Sequence, residues 1–126
     1  MIKRFGSGGA WEDRYGYSRV VQAGPLVLVA GCTSVVDGVV QHPGAAYEQA
    51  TFAFQVALDA LTKAGARVFD VVRTRMYVVG AEHADAVGRA HGTVFGQVRP
   101  VATMVMVERL LDPAMLVEVE VEAYVP

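Results

Sequence analysis

The chain has 126 residues, the length of one ordinary domain, so one hydrophobic core is expected rather than two. Its formal net charge is −2, and charges of both signs are scattered along it without a basic run, which argues against nucleic acid as a partner. Hydrophobic residues make up 53% of the chain, above the usual share of about 45 to 50%, and such an excess favours a subunit interface.

Cysteine usage and hydropathy indicate where the protein works. Cys32 is the only cysteine, which excludes an internal disulfide and a cysteine-rich metal site and favours a reducing, cytoplasmic compartment. The first residues include basic side chains but no apolar segment behind them, unlike a secretory signal. The uncharged run from Val20 to Val36 is short and is interrupted by Gly24-Pro25 and Gly31, so it predicts two buried strands rather than a membrane span.

The chain begins with a glycine-rich, polar stretch. Residues 1–14 are expected to form a flexible arm, and residues 15–126 a single domain. A strand that begins near Tyr17, a Gly24-Pro25 turn and a second strand that ends at Gly31 together predict a β-hairpin.

Two amphipathic helices are predicted after a turn at Asp37-Gly38. Between residues 45 and 64, apolar side chains recur at steps of three and four residues, which predicts a helix that ends before Gly65. Its apolar stripe consists of Tyr47, Ala50, Phe54, Ala57, Leu58 and Leu61. A shorter helix that ends at Gly96 carries Val87, His91 and Val94 on one side.

Three further strands complete the pattern. They are predicted over Val68–Val79, Val101–Val107 and Leu116–Val125. Alternation in the first places Val72, Thr74, Met76 and Val78 on one face and Val71, Arg73, Arg75, Tyr77 and Val79 on the other. The order ββαβαββ predicts an α+β fold in which two helices cover one face of a mainly antiparallel sheet.

Charged residues on two of these strands form the densest candidate site. Glu118, Glu120 and Glu122 project to one side, which suits general acid/base or water-positioning work but equally the solvated face of a strand. Arg73 and Arg75 suit a substrate carboxylate, or structural ion pairs with those glutamates. Without other information, the ion pairs are favoured.

Other chemistry finds little support in the sequence. His42, His83 and His91 lack the spacing of metal ligands, and His91 is expected to pack against the sheet. Cys32 is expected to be a buried apolar side chain rather than a reactive thiol. No glycine-rich nucleotide motif and no serine elbow are present, so neither a metal nor a cofactor is expected.

Several strings nevertheless resemble one family over roughly residues 15 to 125. They are "GYSRVV", "VLVAG", "ALDALTKAGARVFDVVRTRMYVV", "VFGQVRPVATMVMVERL" and "VEVEVEAYV". Together with the order of elements, they are similar to the YjgF/RidA family, also called the L-PSP endoribonuclease family.

The resemblance implies a chorismate-mutase-like fold assembled as a homotrimer, with the sheets as a barrel-like core and ligand clefts between subunits. The best-understood members of the family hydrolyse reactive enamines and imines such as 2-aminoacrylate, without cofactor or metal. An arginine holds the substrate carboxylate, while a glutamate and backbone groups position water for attack on the imine carbon.

Position by position, the resemblance assigns ligand contacts to Tyr17, Gly31 and Cys32 and the catalytic glutamate to Glu122, with Glu120 beside it. The family's Pro-Ala-Arg-Ser segment falls on Pro100 to Thr103, so Ala102 stands in place of the anchoring arginine, next to Thr103. Gly88 stands where an asparagine is usual.

The missing arginine leaves three functions open. The first is an imine hydrolase in which Arg75 or Arg73 reaches the cleft from another wall and 2-aminoacrylate binds poorly, because a carboxylate without its charged partner loses roughly 1.5 to 3 kcal/mol. The second is a non-catalytic, metabolite-binding trimer. An endoribonuclease comes third, because the chain lacks a basic surface and a convincing acid/base pair.

Overall fold

The computed structural model describes residues 1–126 and confirms an α+β fold. Its strands are β1 (Ile2–Phe5), β2 (Val20–Ala23), β3 (Leu26–Cys32), β4 (Val35–Val36), β5 (Val39–Val40), β6 (Val71–Val79), β7 (Val101–Val107) and β8 (Val117–Tyr124). Its helices are α1 (Ala10–Tyr15), α2 (Ala46–Lys63) and α3 (Ala84–Phe95). None of the helices combines the length and the apolar character needed to cross a membrane.

Six strands form one sheet in the order β1-β2-β3-β8-β6-β7, and β4 and β5 form a separate small hairpin. All neighbours in the large sheet are antiparallel except β6 and β7, which are parallel because α3 connects them across the sheet. Strand β7 has the bounds that the sequence predicts, and the β4–β5 turn lies at Asp37-Gly38, where both residues have positive φ.

The first residues, for which a flexible arm is expected, contain a strand and a helix. Strand β1 pairs with β2 along its whole length, and α1 follows after a glycine-rich loop. Helix α1 is held from within, because the backbone amides of Gly16 and Tyr17 donate to the Glu12 carbonyl and the Glu12 side chain is buried. Polar composition alone does not predict these two elements, because β1 forms by pairing with β2 and α1 is stabilised around the buried Glu12 carboxylate.

Helices α2 and α3 cover one face of the sheet and enclose the core. In β8, Val117, Val119, Val121 and Ala123 are fully buried and alternate with the three glutamates, as period-two patterning requires. Most of the predicted α2 stripe is buried too, although Tyr47 and Leu58 lie at its edge and are half-buried.

Strand β6 departs from strict alternation at its start. The pairing of β6 with β8 shifts between Val71 and Arg73, so Val71 is buried and Val72 is exposed, the reverse of the predicted faces. This irregularity adds one residue to β6, so the side chains before it point to the opposite faces of the sheet from those that strict alternation predicts. From Arg73 to Val79 the predicted alternation holds.

His91 packs against the sheet as the sequence predicts. Its Nε2 lies 2.7 Å from the Oγ1 of the fully buried Thr74, and its ring lies 4.9 Å from that of Phe95. Burial lowers the pKa of His91. These contacts indicate a structural role.

Phe54 is the central side chain of the α2–α3 packing, because its ring lies 5.2 Å from Phe95 and 5.6 Å from His91. We expect Phe54→Ala to lower the free energy of unfolding by about 3 to 5 kcal/mol, since the cavity cannot collapse between two helices and a sheet. Phe69, which is 69% exposed, is the matched control, and Phe69→Ala should stay within about 0.5 kcal/mol of the parent. Denaturant titrations at one protein concentration make the comparison, and equal losses in the two variants would contradict this core.

Candidate active site

A β-bulge near the end of β3 shapes the candidate site. Val29 pairs with Val121 and Cys32 with Val119, so three steps along β3 oppose two along β8. The Arg19 side chain stabilises this β3 bulge, because its Nη1 donates to the carbonyls of Gly31 at 2.6 Å and Ala30 at 3.3 Å. A guanidinium thus supplies hydrogen bonds where the regular ladder is interrupted.

A buried carboxylate holds the same guanidinium from the other side. The Arg19 Nε lies 3.8 Å from the Glu12 carboxylate, which also accepts hydrogen bonds from the amide and hydroxyl of Ser7. Burial raises the pKa of Glu12, but the Ser7 hydrogen bonds and the Arg19 charge outweigh it, so the net pKa is below the ordinary value. Glu12 is therefore an anion that fixes the glycine-rich loop against Arg19.

These groups line a cleft of about 860 Å³, which we call the Arg19 cleft. It brings together Tyr17, Gly31 and Cys32, three residues for which the family resemblance implies ligand contacts. The other lining residues include Trp11, Glu12, Arg19, Val35, Asp37, Val56, Asp59, Lys63, Leu111, Asp112, Met115 and Glu118. The volume is within the range of about 300 to 1,000 Å³ that is usual for small-molecule sites.

Glu118 is the member of the glutamate triplet that enters this cleft. Its carboxylate lies over Gly31 so closely that a Cβ at residue 31 would overlap it, and no side-chain hydrogen bond holds it. Burial, together with the charge of Glu120, raises the pKa of Glu118, and Arg19 opposes the shift. A partly buried carboxyl group with a raised pKa is suited to donate and accept a proton.

Glu120, Glu122, Arg73 and Arg75 form a charged ladder outside the Arg19 cleft. Arg75 Nη1 donates to Glu122 at 3.1 Å and lies 4.0 Å from Glu120, and Arg73 Nε lies 3.5 Å from Glu122. Tyr77 donates its hydroxyl proton to Glu120, and this hydrogen bond is the main cause of the raised pKa of Tyr77. The structural ion pairs that the sequence favoured are therefore present.

Ala102 and Thr103 lie on β7, away from the Arg19 cleft. They pair in register with Thr74 and Arg75 of β6, and both are exposed in the chain. The ligand-binding roles given to these two residues, and to Arg73, Arg75, Glu120 and Glu122, stay predictions, because the cleft of this chain does not include them.

Sequence reasoning missed Arg19 and Glu12 as site residues. No motif spacing joins them, since their contact depends on the β3 bulge and on the loop before α1. The only available signal was a pair of charged residues inside otherwise glycine-rich or apolar segments. No group of three or more histidine, cysteine or acidic side chains is arranged to hold a metal ion.

Cys32 gives a direct chemical test of this geometry. Burial raises the pKa of its thiol from 9.0 to about 11, against the opposing charge of Arg19. At pH 8 the native thiol should therefore react with a thiolate-specific reagent at least about 100-fold more slowly than the unfolded chain in denaturant.

The same shift has a consequence for stability. Because the native state holds the proton more tightly than the unfolded chain, the contribution of Cys32 is fully present below pH 9.0 and is lost as the pH rises through about 11. A Cys32→Ala variant should lack this part of the alkaline loss of stability. Native labelling as fast as that of the unfolded chain would contradict the buried position.

Comparison with known proteins identifies the family. The family model described as Endoribonuclease L-PSP matches residues 10–125. SCO2049 of Streptomyces coelicolor is 42% identical over 98% of this chain and 92% of its own. The crystal structure of Rv2704 from Mycobacterium tuberculosis, a member of the YjgF/YER057c/UK114 family, has a TM-score of 0.88 at 42% identity and covers 99% of this chain and 100% of its own.

A more distant structure shares the fold alone. Escherichia coli TdcF with bound serine has a TM-score of 0.81 at 20% identity and covers 98% of this chain and 94% of its own. The family match over residues 10–125 and the relatives at 42% identity agree with the strings and element order of the sequence. This chain belongs to the Endoribonuclease L-PSP family, the YjgF/YER057c/UK114 family.

Proposed function

We propose that this protein binds a small metabolite in the Arg19 cleft and hydrolyses a reactive enamine or imine there, with release of ammonia. The observation that carries the proposal is Glu118, a partly buried carboxyl group of raised pKa that lies against Gly31 inside a ligand-sized cleft. Family membership supports the reaction class, and the proposed reaction uses neither metal nor cofactor.

Hydrolysis of an enamine requires one group that both donates and accepts protons. Protonated Glu118 donates to the carbon of an enamine and produces an iminium ion. Its carboxylate then accepts a proton from water as the oxygen attacks the iminium carbon. Glu118 then donates that proton to the nitrogen, the C–N bond breaks to release ammonia, and the hydroxyl group gives its proton back to Glu118, which leaves a carbonyl product and the protonated acid.

We further propose a homotrimer with a barrel-like core, in which a neighbouring subunit adds a second wall to each cleft. Strand β7 supports this assembly, because it is an edge strand without a charged residue and because Val101, Val105 and Met106 are exposed on it. Uncovered edges of this kind pair readily with another chain. A cytoplasmic location stays a prediction from the single free cysteine.

A non-catalytic, metabolite-binding trimer is the second candidate, and Ala102 favours it. Both guanidinium groups of Arg73 and Arg75 already pair with Glu122, which weighs against either residue as a replacement for the absent arginine. Endoribonuclease activity comes third, because the chain carries a net charge of −2 and no basic run for a polyanion.

Two glutamate variants separate the candidate acid/base groups. We expect Glu118→Gln to lower the rate of ammonia release from a freshly generated imine by about 100-fold or more, because the amide cannot transfer the proton. Glu122→Gln should retain most activity, since its carboxylate is neutralised by Arg73 and Arg75. Glu108→Gln, at a glutamate whose side chain is 88% exposed, is the matched control.

The readout is ammonia release above the buffer rate, with thermal unfolding to confirm that each variant folds. Loss of activity in Glu122→Gln alone would contradict the role of Glu118 and identify Glu122 as the catalytic glutamate. Wild-type rates equal to buffer, together with saturable ligand binding, would favour the non-catalytic candidate.

A further inference from the structure

The backbone at Gly31 does not require a glycine. Its φ lies outside the left-handed region, so another residue could adopt the same backbone conformation without strain. Gly31 also lies inside β3, where a glycine contributes no side chain to the packing. A glycine within a strand often marks a place where another group approaches the backbone closely, and at Gly31 that group is the carboxyl group of Glu118.

The Glu118 side chain occupies the space that a side chain at position 31 would need. A Cβ added to Gly31 would lie 2.9 Å from Glu118 Cδ and 3.2 Å from its Cγ, and it would overlap one carboxyl oxygen. No hydrogen bond fixes this carboxyl group. The two neighbouring glutamates differ, because Glu120 accepts a hydrogen bond from Tyr77 and Glu122 accepts one from Arg75.

The charged groups of the Arg19 cleft do not hold Glu118 either. Arg19 and Lys63 are its cationic side chains, and neither forms a salt bridge with Glu118. The cleft also contains four other acidic side chains, which are Glu12, Asp37, Asp59 and Asp112. Because like charges repel, these acids do not attract the Glu118 carboxylate. Packing against the bare backbone of Gly31 is therefore the contact that sets its position.

The backbone of Gly31 is held in place, so it cannot move away from an added side chain. Arg19 Nη1 donates to the carbonyls of Gly31 and Ala30, and the Ala30 amide donates to the Arg19 carbonyl at 2.9 Å. On either side, Val29 and Cys32 are buried and paired with β8. The Glu118 side chain can rotate, so a methyl group at position 31 displaces the carboxyl group toward the water of the cleft rather than displacing the strand.

We propose that Gly31 is a positioning residue for the reaction: the absence of a side chain at this position creates the space that holds the Glu118 carboxyl group in the Arg19 cleft. Arg19 contributes through its hydrogen bonds to the bulge carbonyls, which fix one wall of that space. This inference rests on the proposed function for the role of Glu118, and it adds the residue that determines where the carboxyl group lies. Residues 31 and 118 are accordingly matched in size.

A titration of the Glu118 carboxyl group tests this position without an assay of catalysis. With glutamate isotopically labelled at Cδ, the NMR signal that is absent from Glu118→Gln belongs to Glu118. We expect the pKa of Glu118 to lie above the ordinary range in the parent and to fall toward it in Gly31→Ala, because the displaced carboxyl group is better hydrated. Gly92→Ala, at a glycine of α3 whose added Cβ would have no atom within 4 Å, is the matched control and should leave the titration unchanged.

A shorter acidic side chain provides the rescue. Glu118→Asp removes one methylene group and with it the overlap with a Cβ at position 31. We expect Gly31→Ala to slow ammonia release by about 10- to 100-fold in the parent, since a misplaced reacting group loses activity of this order, but by about 2-fold or less when Glu118→Asp is also present. A methyl group that simply blocked the ligand would cause the same loss in both backgrounds.

Each outcome bears on this inference separately from the hydrolase. An unchanged pKa of Glu118 in Gly31→Ala overturns the inference, and so do equal losses of activity in the two backgrounds. A lowered pKa in Gly31→Ala, in a protein that releases no ammonia above the buffer rate, supports the role of Gly31 and counts against the hydrolase. If Gly31→Ala does not fold, a thermal unfolding transition recovered by adding Glu118→Asp supports the same contact, and failure to recover it overturns the inference.

Discussion

The contact on which the candidate site depends is the one between the Arg19 guanidinium and the carbonyls of the β3 bulge, at 2.6 Å to Gly31 and 3.3 Å to Ala30. Hydrogen bonds to a charged group contribute roughly 1.5 to 3 kcal/mol each, enough to maintain a break in a sheet ladder. Because Glu12 holds the same side chain, this one group joins the N-terminal loop to β3. These contacts fix the position of the Arg19 guanidinium group in the resulting cleft.

The neighbours of the three β8 glutamates explain why their carboxyl groups have different environments. Glu120 and Glu122 lie among Arg73, Arg75 and Tyr77, and these partly exposed pairs contribute about 0 to 1 kcal/mol each. Glu118 comes two residues before Glu120 on β8, where the β3 bulge leaves the bare backbone of Gly31 beside it. Its carboxyl group is left partly desolvated and without a salt-bridge partner, which is the condition for proton transfer.

Patterning predicts the regular parts of this fold well, because burial on one face imposes a period on the sequence. The alternation of β8 and the stripe of α2 both follow from it. Two irregular features lie outside such reasoning: the shift at Val71 reverses two side chains, and the bulge at Ala30-Gly31 creates the contact with Arg19. The site was accordingly predicted only in part, since Tyr17, Gly31, Cys32 and Glu118 line the cleft, whereas Arg19 and Glu12 belong to no motif.

The arrangement also gives the alanine at position 102 a physical meaning. The Arg19 cleft contains cationic side chains that do not come from β7, because Arg19 and Lys63 both line it. The most direct measurement is a crystal structure of the assembled protein with a bound substrate analogue. The account predicts the analogue in the Arg19 cleft, within hydrogen-bond distance of the Glu118 carboxyl group. A ligand held instead by Arg73 or Arg75 beside Ala102 would contradict it.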